Sequence, residues 1–283
     1  MHRQLRRGLT KYLALAGLVV LEVTGPDPAL RRAKAKDDTV DAIGAAQAAL
    51  RGQSVRVAKD RNGQVEALRV LRTTRKTAIK CKRAALQQLH NTIVAAPDSV
   101  REQLRNQTRM ELLRSLAASR PDRVAFSDPT IATRIAVASL ARRVLELNDE
   151  IADLDQLIDP LVGELAPSLL ALQGVGVDSA SAFLVAAGDN PERLTSEASF
   201  VMLYGACPIP ASSGKTNRHR LNRGGNRQAN SALHMVVLSR TRIDERTQAH
   251  LKRRLAEGLS KRETIRCLKR YVAREIYQVL TTK

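Results

Sequence analysis

The strongest constraint on the fold is a helical pattern of apolar residues in the middle of the chain. Apolar residues recur at three- and four-residue intervals from Gln64 to Val94, from Val100 to Ala118 and from Pro129 to about Leu157. Long amphipathic helices with charged outer faces bury their apolar stripes against one another or against a partner. We therefore predict a long helical, coiled-coil-like region over residues 59–160, a spacer or partner interface to which we assign no chemistry.

The chain is also strongly basic, which bounds the kind of partner it binds. Its 47 Lys and Arg residues exceed its 28 Asp and Glu residues, and the formal net charge is +19. Residues 213–270 hold 16 Lys or Arg and 4 Asp or Glu, so +12 of that charge lies there. Such an excess favours nucleic acid over an anionic membrane. Aromatic residues are only 2% of the chain, which argues against base stacking and favours contacts to the nucleic-acid backbone.

A pair of serines stands at the start of this basic region. The prolines at 208 and 210 end the preceding helix, so Ser212, Ser213 and Gly214 are predicted to form a loop. A hydroxyl beside a glycine and among cations suits attack on a phosphodiester, because arginines neutralise phosphate oxygens. From spacing alone, simple phosphate binding by a basic turn is favoured over serine catalysis. The cations considered are Lys215, Arg218, Arg220, Arg223 and Arg227.

A second loop signal lies upstream, at Leu172-Gln-Gly-Val-Gly-Val177. An apolar residue followed by Gly174, Val175 and Gly176 between two helices is the pattern of a helix-hairpin-helix, whose turn offers backbone N–H groups to a DNA phosphate. The alternative is a plain turn between helices that binds nothing. The basic character of the chain favours the DNA contact.

The N-terminal region reads as a mixture of helix and strand. We predict a short helix over residues 9–16 that ends at Gly17, a buried strand over 18–23 and a helix from about 37 to 50. Asp38 and Asp41 stand three apart and share one face of that helix's first turn. They are either capping carboxylates or a pair of Mg²⁺ ligands, and the residues alone favour capping.

Several other protein classes are excluded. The three cysteines form no CxxC or Cys/His cluster, so a structural zinc site is not expected. Their wide separation in the sequence is typical of a protein in a reducing cytosol. The apolar stretch over 13–23 is too short to span a bilayer, and no cleavable signal peptide is recognisable.

Taken in order, these features resemble the DEDD-type transposases of the insertion-sequence-one-ten group, which are bridge-RNA-guided recombinases. The resemblance follows the order and spacing of motifs along nearly the whole chain. The segments that carry it are Gly8 to Leu50 with Lys36-Asp-Asp-Thr-Val-Asp-Ala42, Leu172-Gln-Gly-Val-Gly176, and Tyr204-Gly205 through Ser212-Ser-Gly-Lys215 to Arg223-Gly-Gly-Asn-Arg227.

The resemblance implies a mainly α protein with three parts: an RNase H-like α/β domain over 1–58, the helical region over 59–160, and a C-terminal transposase domain over 161–283. It also implies a split active site in which four acidic residues hold Mg²⁺ and a serine attacks DNA and becomes transiently joined to it. Ser213 matches that serine, with Ser212 as the neighbouring alternative, and Asp38 and Asp41 match the third and fourth acidic residues. The residues expected to bind nucleic acid are Gly174, Gly176, Lys215, Arg218, Arg220, Arg223 and Arg227.

The implied partners are DNA, a structured guide RNA and further copies of the chain, without a membrane, in the bacterial cytoplasm near the nucleoid. One departure affects activity. The first two acidic residues of the family lie upstream of the position of Gly8, and the first acidic residue here is Glu22. We therefore expect a truncated RNase H-like remnant, an incomplete Mg²⁺ site and no catalysis by the chain as given. The alternative function is a non-catalytic DNA- or RNA-binding remnant.

Overall fold

The protein is mainly helical, as the sequence predicts. The computed structural model describes residues 2–23, 38–52, 55–59, 62–190, 194, 196–211, 219–220, 222 and 224–281. The chain divides into two compact units, each built from separated stretches of sequence. The first unit is Met1–Gly63, Ala186–Ser231 and Arg253–Lys283, and the second is Gln64–Val185 and Ala232–Lys252. The predicted division into three consecutive domains stays a prediction.

The first unit begins with α1 (His2–Leu15), β1 (Leu21–Val23), α2 (Asp38–Leu50) and β2 (Val55–Val57). Gly17 ends α1 as predicted, because its φ of +76° suits glycine and lets the Leu18 N–H donate to the Leu13 carbonyl at 3.0 Å. The helix predicted to open near Asp38 is α2. β1 and β2 pair antiparallel, with Leu21 opposite Val57 and Val23 opposite Val55.

The prediction of a buried strand over 18–23 is wrong. Only Leu21–Val23 are in strand conformation, and Leu18 and Val19 are exposed, the latter to 77%. Within the described part of the chain β1 pairs with β2 alone, and a two-stranded ribbon covers little apolar surface. The β-branched run over 18–23 therefore predicted extended backbone correctly in part, but it did not predict burial. Whether this region is RNase H-like stays a prediction.

Two long helices dominate the second unit. They are α3 (Gln64–Val94) and α6 (Pro129–Leu165), and the shorter α4 (Asp98–Gln103) and α5 (Arg109–Ala118) lie between them in sequence. The start of α3 faces the end of α6, since the Gln64 amide contacts Glu164 and Arg75 pairs with Asp155. Ala85 and Leu89 pack with Val137, Ala141 and Val144 at the other end. The two helices are therefore antiparallel neighbours within one chain.

The structure corrects two helix boundaries in this unit. The single helix predicted over 100–118 is two helices, because Thr108 and Glu111 form a capping box that starts α5. The hydroxyl and N–H of Thr108 donate to Glu111 at 2.8 and 2.9 Å and hold its pKa below the ordinary value. α6 continues through Pro160 to Leu165, since buried Ile158 and Val162 extend its apolar face.

The C-terminal half contributes to both units. Its elements are α7 (Pro167–Leu170), α8 (Val177–Ala187), α9 (Glu197–Leu203), β3 (Ile209–Pro210), β4 (His219–Arg220), α10 (Arg227–Ile243), α11 (Glu245–Ala256) and α12 (Lys261–Thr281). In the first unit α9 packs on α12. The rings of Phe200 and Tyr204 stack with centroids 4.0 Å apart, and Tyr277 lies against Phe200 at 5.4 Å. None of the helices in the described residues combines the length and apolar character that a membrane crossing demands.

Candidate nucleic-acid interface

The predicted serine loop leaves and rejoins a short antiparallel hairpin. β3 pairs with β4, with Ile209 opposite Arg220 and Pro210 opposite His219. The connection between these strands contains both candidate serines, but it lies outside the described residues. The predicted site residues that fall there or nearby, and are likewise outside the described residues, are Ser212, Ser213, Lys215, Arg218 and Arg223.

The hairpin is anchored by a close approach between two glycines. Gly205 has φ +67°, and a Cβ there would lie 2.6 Å from Nδ2 of Asn230. A Cβ on Gly225 would lie within 3.0 Å of the amide nitrogen and Cα of Gly205. No side chain fits between the two backbones. The contact between Gly205 and Gly225, which we call the glycine lock, thus holds the start of α10 against the segment that leads into β3.

The asparagines around this contact complete the lock. The Asn226 N–H donates to the Leu203 carbonyl at 2.7 Å, and its Oδ1 accepts from the N–H groups of Gln228 and Ala229 at 2.9 and 3.1 Å. Asn226 is therefore the cap of α10. In the sequence, Asn226 was considered only as part of the motif Arg223-Gly-Gly-Asn-Arg227. Its role as a cap was missed, although Asn before a helical pattern is a capping signal.

A cavity of about 600 Å³ opens beside the hairpin. We call it the basic basin. Its walls are the base of the hairpin, the turn between α11 and α12, and one face of α12. Among the residues that the structure describes, six cationic side chains and one carboxylate, Glu263, line it. The cations are Arg220, Arg254, Arg266, Lys269, Arg270 and Arg274.

Of the predicted binding residues, the structure places Arg220 on the wall of the basic basin and leaves Arg227 off it. Arg227 is exposed in the first turn of α10. Most of the cations come instead from α12, where Arg262, Arg266, Arg270 and Arg274 recur every four residues and share one face. Sequence reasoning counted these residues in the net charge without noticing their spacing, which is the signal that would have found them.

Some of these charges are neutralised within the first unit. Arg254 pairs with Glu257 and Arg274 with Glu197, each at 2.5 Å, and Arg266 lies 4.0 Å from Glu263. Arg220 and Arg270 have no acidic partner among the residues that the structure describes. The basic basin therefore keeps a net positive charge after its internal ion pairs are counted.

The most buried of these cations is Lys269, which is only 6% exposed. Its ammonium donates to Oδ1 of Asn230, whose Nδ2 donates to the carbonyls of Tyr204 and Gly205 at 3.1 and 2.7 Å. Burial, and secondarily repulsion from Arg266, lowers the pKa of Lys269 to about 8.

The predicted helix-hairpin-helix turn lies in the second unit, where its two glycines have different surroundings. Gly174 has φ +76° and faces α10, where a Cβ would lie 3.2 Å from Cγ of Arg240. Arg240 Nε donates to the Gln173 carbonyl at 2.8 Å and fixes the turn. A Cβ on Gly176 would meet open space. Gly174 thus serves packing inside the chain, and only Gly176 presents accessible backbone to a ligand.

Alanine at these two glycines should separate stability from binding. Gly174→Ala is expected to cost about 1–3 kcal/mol, because alanine is strained at positive φ and must displace Arg240. Gly176→Ala should change the unfolding free energy by less than about 0.5 kcal/mol. Chemical denaturation of the two variants beside wild type measures both effects. Equal losses of stability would contradict the packing assigned to Gly174, and DNA affinity lost only in Gly176→Ala would support the phosphate contact.

Asp38 and Asp41 both lie in the first turn of α2 and do not line the basic basin. In the described part of the chain, no group of three or more acidic, histidine or cysteine side chains is placed to hold a metal ion. These two carboxylates therefore do not by themselves fit a Mg²⁺ site, which needs more ligands than one helical turn supplies here.

Comparison with known proteins bears on the same part of the chain. Residues 166–252 match the model of the Transposase IS116/IS110/IS902 family. The matched segment includes the glycine turn, the hairpin, the glycine lock and α10, and it stops before α12. No curated protein matches the chain. The resemblance predicted from the motifs is confirmed over residues 166–252, where the chain is similar to transposases of the IS116/IS110/IS902 family.

Proposed function

We propose that the chain is a transposase polypeptide that binds DNA through the basic basin and presents Ser213 to a phosphodiester held there. The observation that carries the proposal is the position of the basic basin at the base of the hairpin whose connection contains Ser212 and Ser213. A cavity with six cations and one carboxylate suits a phosphate backbone, because arginine and lysine pair strongly with phosphate oxygens.

The proposed step is an exchange of one phosphorus–oxygen bond for another. The Ser213 oxygen attacks phosphorus, the bond to a deoxyribose oxygen breaks, and the hydroxyl proton passes to solvent or to the departing oxygen. The chain is then joined to DNA through a phosphoserine diester, and attack by a second deoxyribose hydroxyl reverses the step on another strand. Cations around the phosphate stabilise the charge that builds on its non-bridging oxygens.

The implied Mg²⁺ would activate a hydroxyl and stabilise a leaving oxygen. Asp38 and Asp41 would contribute two of its ligands. Because the described residues do not complete that site, we propose that the chain by itself binds DNA without cutting it. A basic basin that needs no metal also supports the second function, a nucleic-acid-binding protein without catalysis.

DNA binding by the purified chain is expected to depend steeply on salt. If six or more phosphates are contacted, affinity should fall about a thousandfold between roughly 50 and 200 mM salt, because condensed counterions are released. Filter-binding titrations over this range measure the slope, and a plasmid-nicking assay with Mg²⁺ on the same samples should show no cleavage. A flat salt response would contradict the basic basin as the binding surface. Robust nicking would show that the carboxylate set is complete.

The guide RNA and the self-association implied by the resemblance are also proposals. A structured RNA should compete with DNA for the basic basin, because both present the same phosphodiester chemistry. Leu157 and Val70, on the two long helices of the second unit, are exposed apolar residues that a second copy would cover. Light scattering with and without RNA tests whether the chain associates.

A further inference from the structure

Lys269 is buried beside the basic basin, and a buried lysine is rare unless an anion accompanies it. Lys269 lies on α12 among buried Ile265, Leu268, Val272 and Ala273, and it lines the basic basin. An ammonium has three N–H donors. The acceptor that the described residues give it is Asn230 Oδ1, and no carboxylate among them pairs with it. A cation in this position lacks a counter-charge within the described part of the first unit.

Asn230 holds this ammonium at a fixed place relative to the hairpin. The amide of Asn230 donates to both the Tyr204 and Gly205 carbonyls, and the chain continues from Gly205 along the wall of the basic basin into β3. Gly205 is itself locked against Gly225. The lysine on α12 is thus connected through Asn230, by two consecutive hydrogen bonds, to the segment that leads into β3. The position of its ammonium is therefore fixed relative to that segment.

The surrounding cations indicate a chain of phosphates rather than a single anion. Arg266, Arg270 and Arg274 line the basic basin and follow one another at about 6 Å per step along α12. Arg270 and Arg220 have no acidic partner in the part of the chain that is described. A line of positive charge several residues long suits successive phosphates of one strand.

We propose that Lys269, held by Asn230, binds a non-bridging oxygen of one nucleic-acid phosphodiester at the floor of the basic basin, with Arg220 and Arg270 contacting the flanking backbone. This inference rests on the proposed function, since it names the residue that holds the phosphate presented to Ser213. It adds a binding residue that lies outside the segment matched by the family model.

Two cysteines make the basic basin directly observable. Cys207 and Cys267 line it, whereas Cys81 lies on α3 in the second unit, and all three are free and partly exposed. Alkylation rates at each cysteine can be followed by peptide mass spectrometry with single-stranded DNA, the matching RNA, or inorganic phosphate. We expect either oligonucleotide to slow alkylation of Cys207 and Cys267 about tenfold and to leave Cys81 unchanged. Inorganic phosphate at the same phosphate concentration should protect far less, because it lacks the flanking contacts.

The lysine itself is tested by Lys269→Met, which keeps the length of the side chain and removes its charge. DNA affinity should fall about tenfold, as expected for the loss of one charge-assisted hydrogen bond. The melting temperature should change little, because removing a buried charge that lacks a counter-charge offsets the lost hydrogen bond to Asn230. The matched control is Lys261→Met, which removes the same charge from an exposed position on α12 that does not line the basic basin. It should weaken binding by less than about twofold.

The pH dependence provides a second readout. The advantage of wild type over Lys269→Met should be full well below pH 8 and should shrink as the pH rises above about 8, because the pKa of Lys269 in the free chain is lowered to about 8 and binding then requires uptake of a proton. Other titratable groups also face the basic basin, so the difference between the two proteins at each pH is the quantity to measure. These groups are His219, Cys207, Cys267, Tyr271 and Glu263, with the arginines remaining charged.

The outcomes distinguish this inference from the proposed function. Protection of both cysteines and a pH-dependent loss in Lys269→Met, found in a chain that forms no adduct at Ser213 even with an oligonucleotide that carries a p-nitrophenyl ester on one phosphate, would support the phosphate site and contradict the serine chemistry. An adduct at Ser213 with unprotected cysteines and unchanged binding by Lys269→Met would overturn the phosphate site alone. Equal protection by inorganic phosphate and DNA would overturn the assignment to a polynucleotide.

Discussion

Ser213→Ala is expected to abolish covalent joining of the chain to DNA, while Ser212→Ala leaves it intact. The suitable substrate is an oligonucleotide with a p-nitrophenyl ester on one phosphate, because that leaving group departs without a metal ion. Intact-protein mass spectrometry detects the adduct, and peptide mapping locates it. Replacing the nucleophile of a covalent step removes its rate almost entirely, so we expect a loss of at least about a thousandfold.

The controls for this experiment come from the same cavity. DNA affinity of Ser213→Ala should equal that of wild type, since the cations of the basic basin are unchanged. Loss of the adduct in Ser212→Ala alone would reassign the nucleophile to Ser212. An adduct that persists in both variants and maps to Cys207 or Cys267 would show that a thiol lining the basic basin reacts instead, and the serine mechanism would be wrong.

The second large effect is expected from Gly225→Ala, which should destabilise the first unit by about 3 kcal/mol or more. A Cβ at this position would lie within 3.0 Å of two backbone atoms of Gly205, and backbone cannot rotate away as a side chain can. Overpacking typically costs about 1–3 kcal/mol, and the cost is higher where the clashing atoms belong to the backbone and cannot move aside. The melting temperature should fall by about 6–12 °C, with DNA binding weakened in parallel because the wall of the basic basin shifts.

Gly224→Ala is the matched control for this change. The neighbouring glycine has an ordinary φ, and a Cβ there would meet only the Asn222 side-chain oxygen, at 3.3 Å. We expect a fall of less than about 2 °C, in keeping with an exposed position where the neighbour can move. If the two alanine variants melted together, the close approach between Gly205 and Gly225 would be refuted.

The long helices could be predicted from the sequence because their signal is local and repeated. α3 runs from Gln64 to Val94 as predicted, since its apolar period persists over many turns and Pro97 follows it. Short elements carried no such redundancy. β2 was not predicted, and the apolar run over 18–23 that was predicted to be buried is largely exposed. Strand formation in β2 and exposure of the run over 18–23 both depend on which distant segments of the chain pair with each other, and no local pattern records that pairing.

The candidate site, like the fold, could be predicted from the sequence only in part. Composition pointed correctly to a basic C-terminal region, and the motif order pointed to the transposase family. Lys269 was not singled out, because its burial depends on Asn230, a residue of another helix whose amide is fixed by two further carbonyls. Gly225 was recognised as a turn residue, but its contact with Gly205 follows from tertiary packing and leaves no pattern along the chain.

The make-up of the first unit has a consequence during synthesis. This unit takes its final segment from Arg253–Lys283, and α12 supplies both the helix that packs on Phe200 and most of the cations beside the hairpin. Chains emerge from the ribosome N-terminus first. A nascent polypeptide that ends before α12 therefore has the hairpin without its charged wall, so the proposed phosphate site can form only after residues 261–281 have been synthesised.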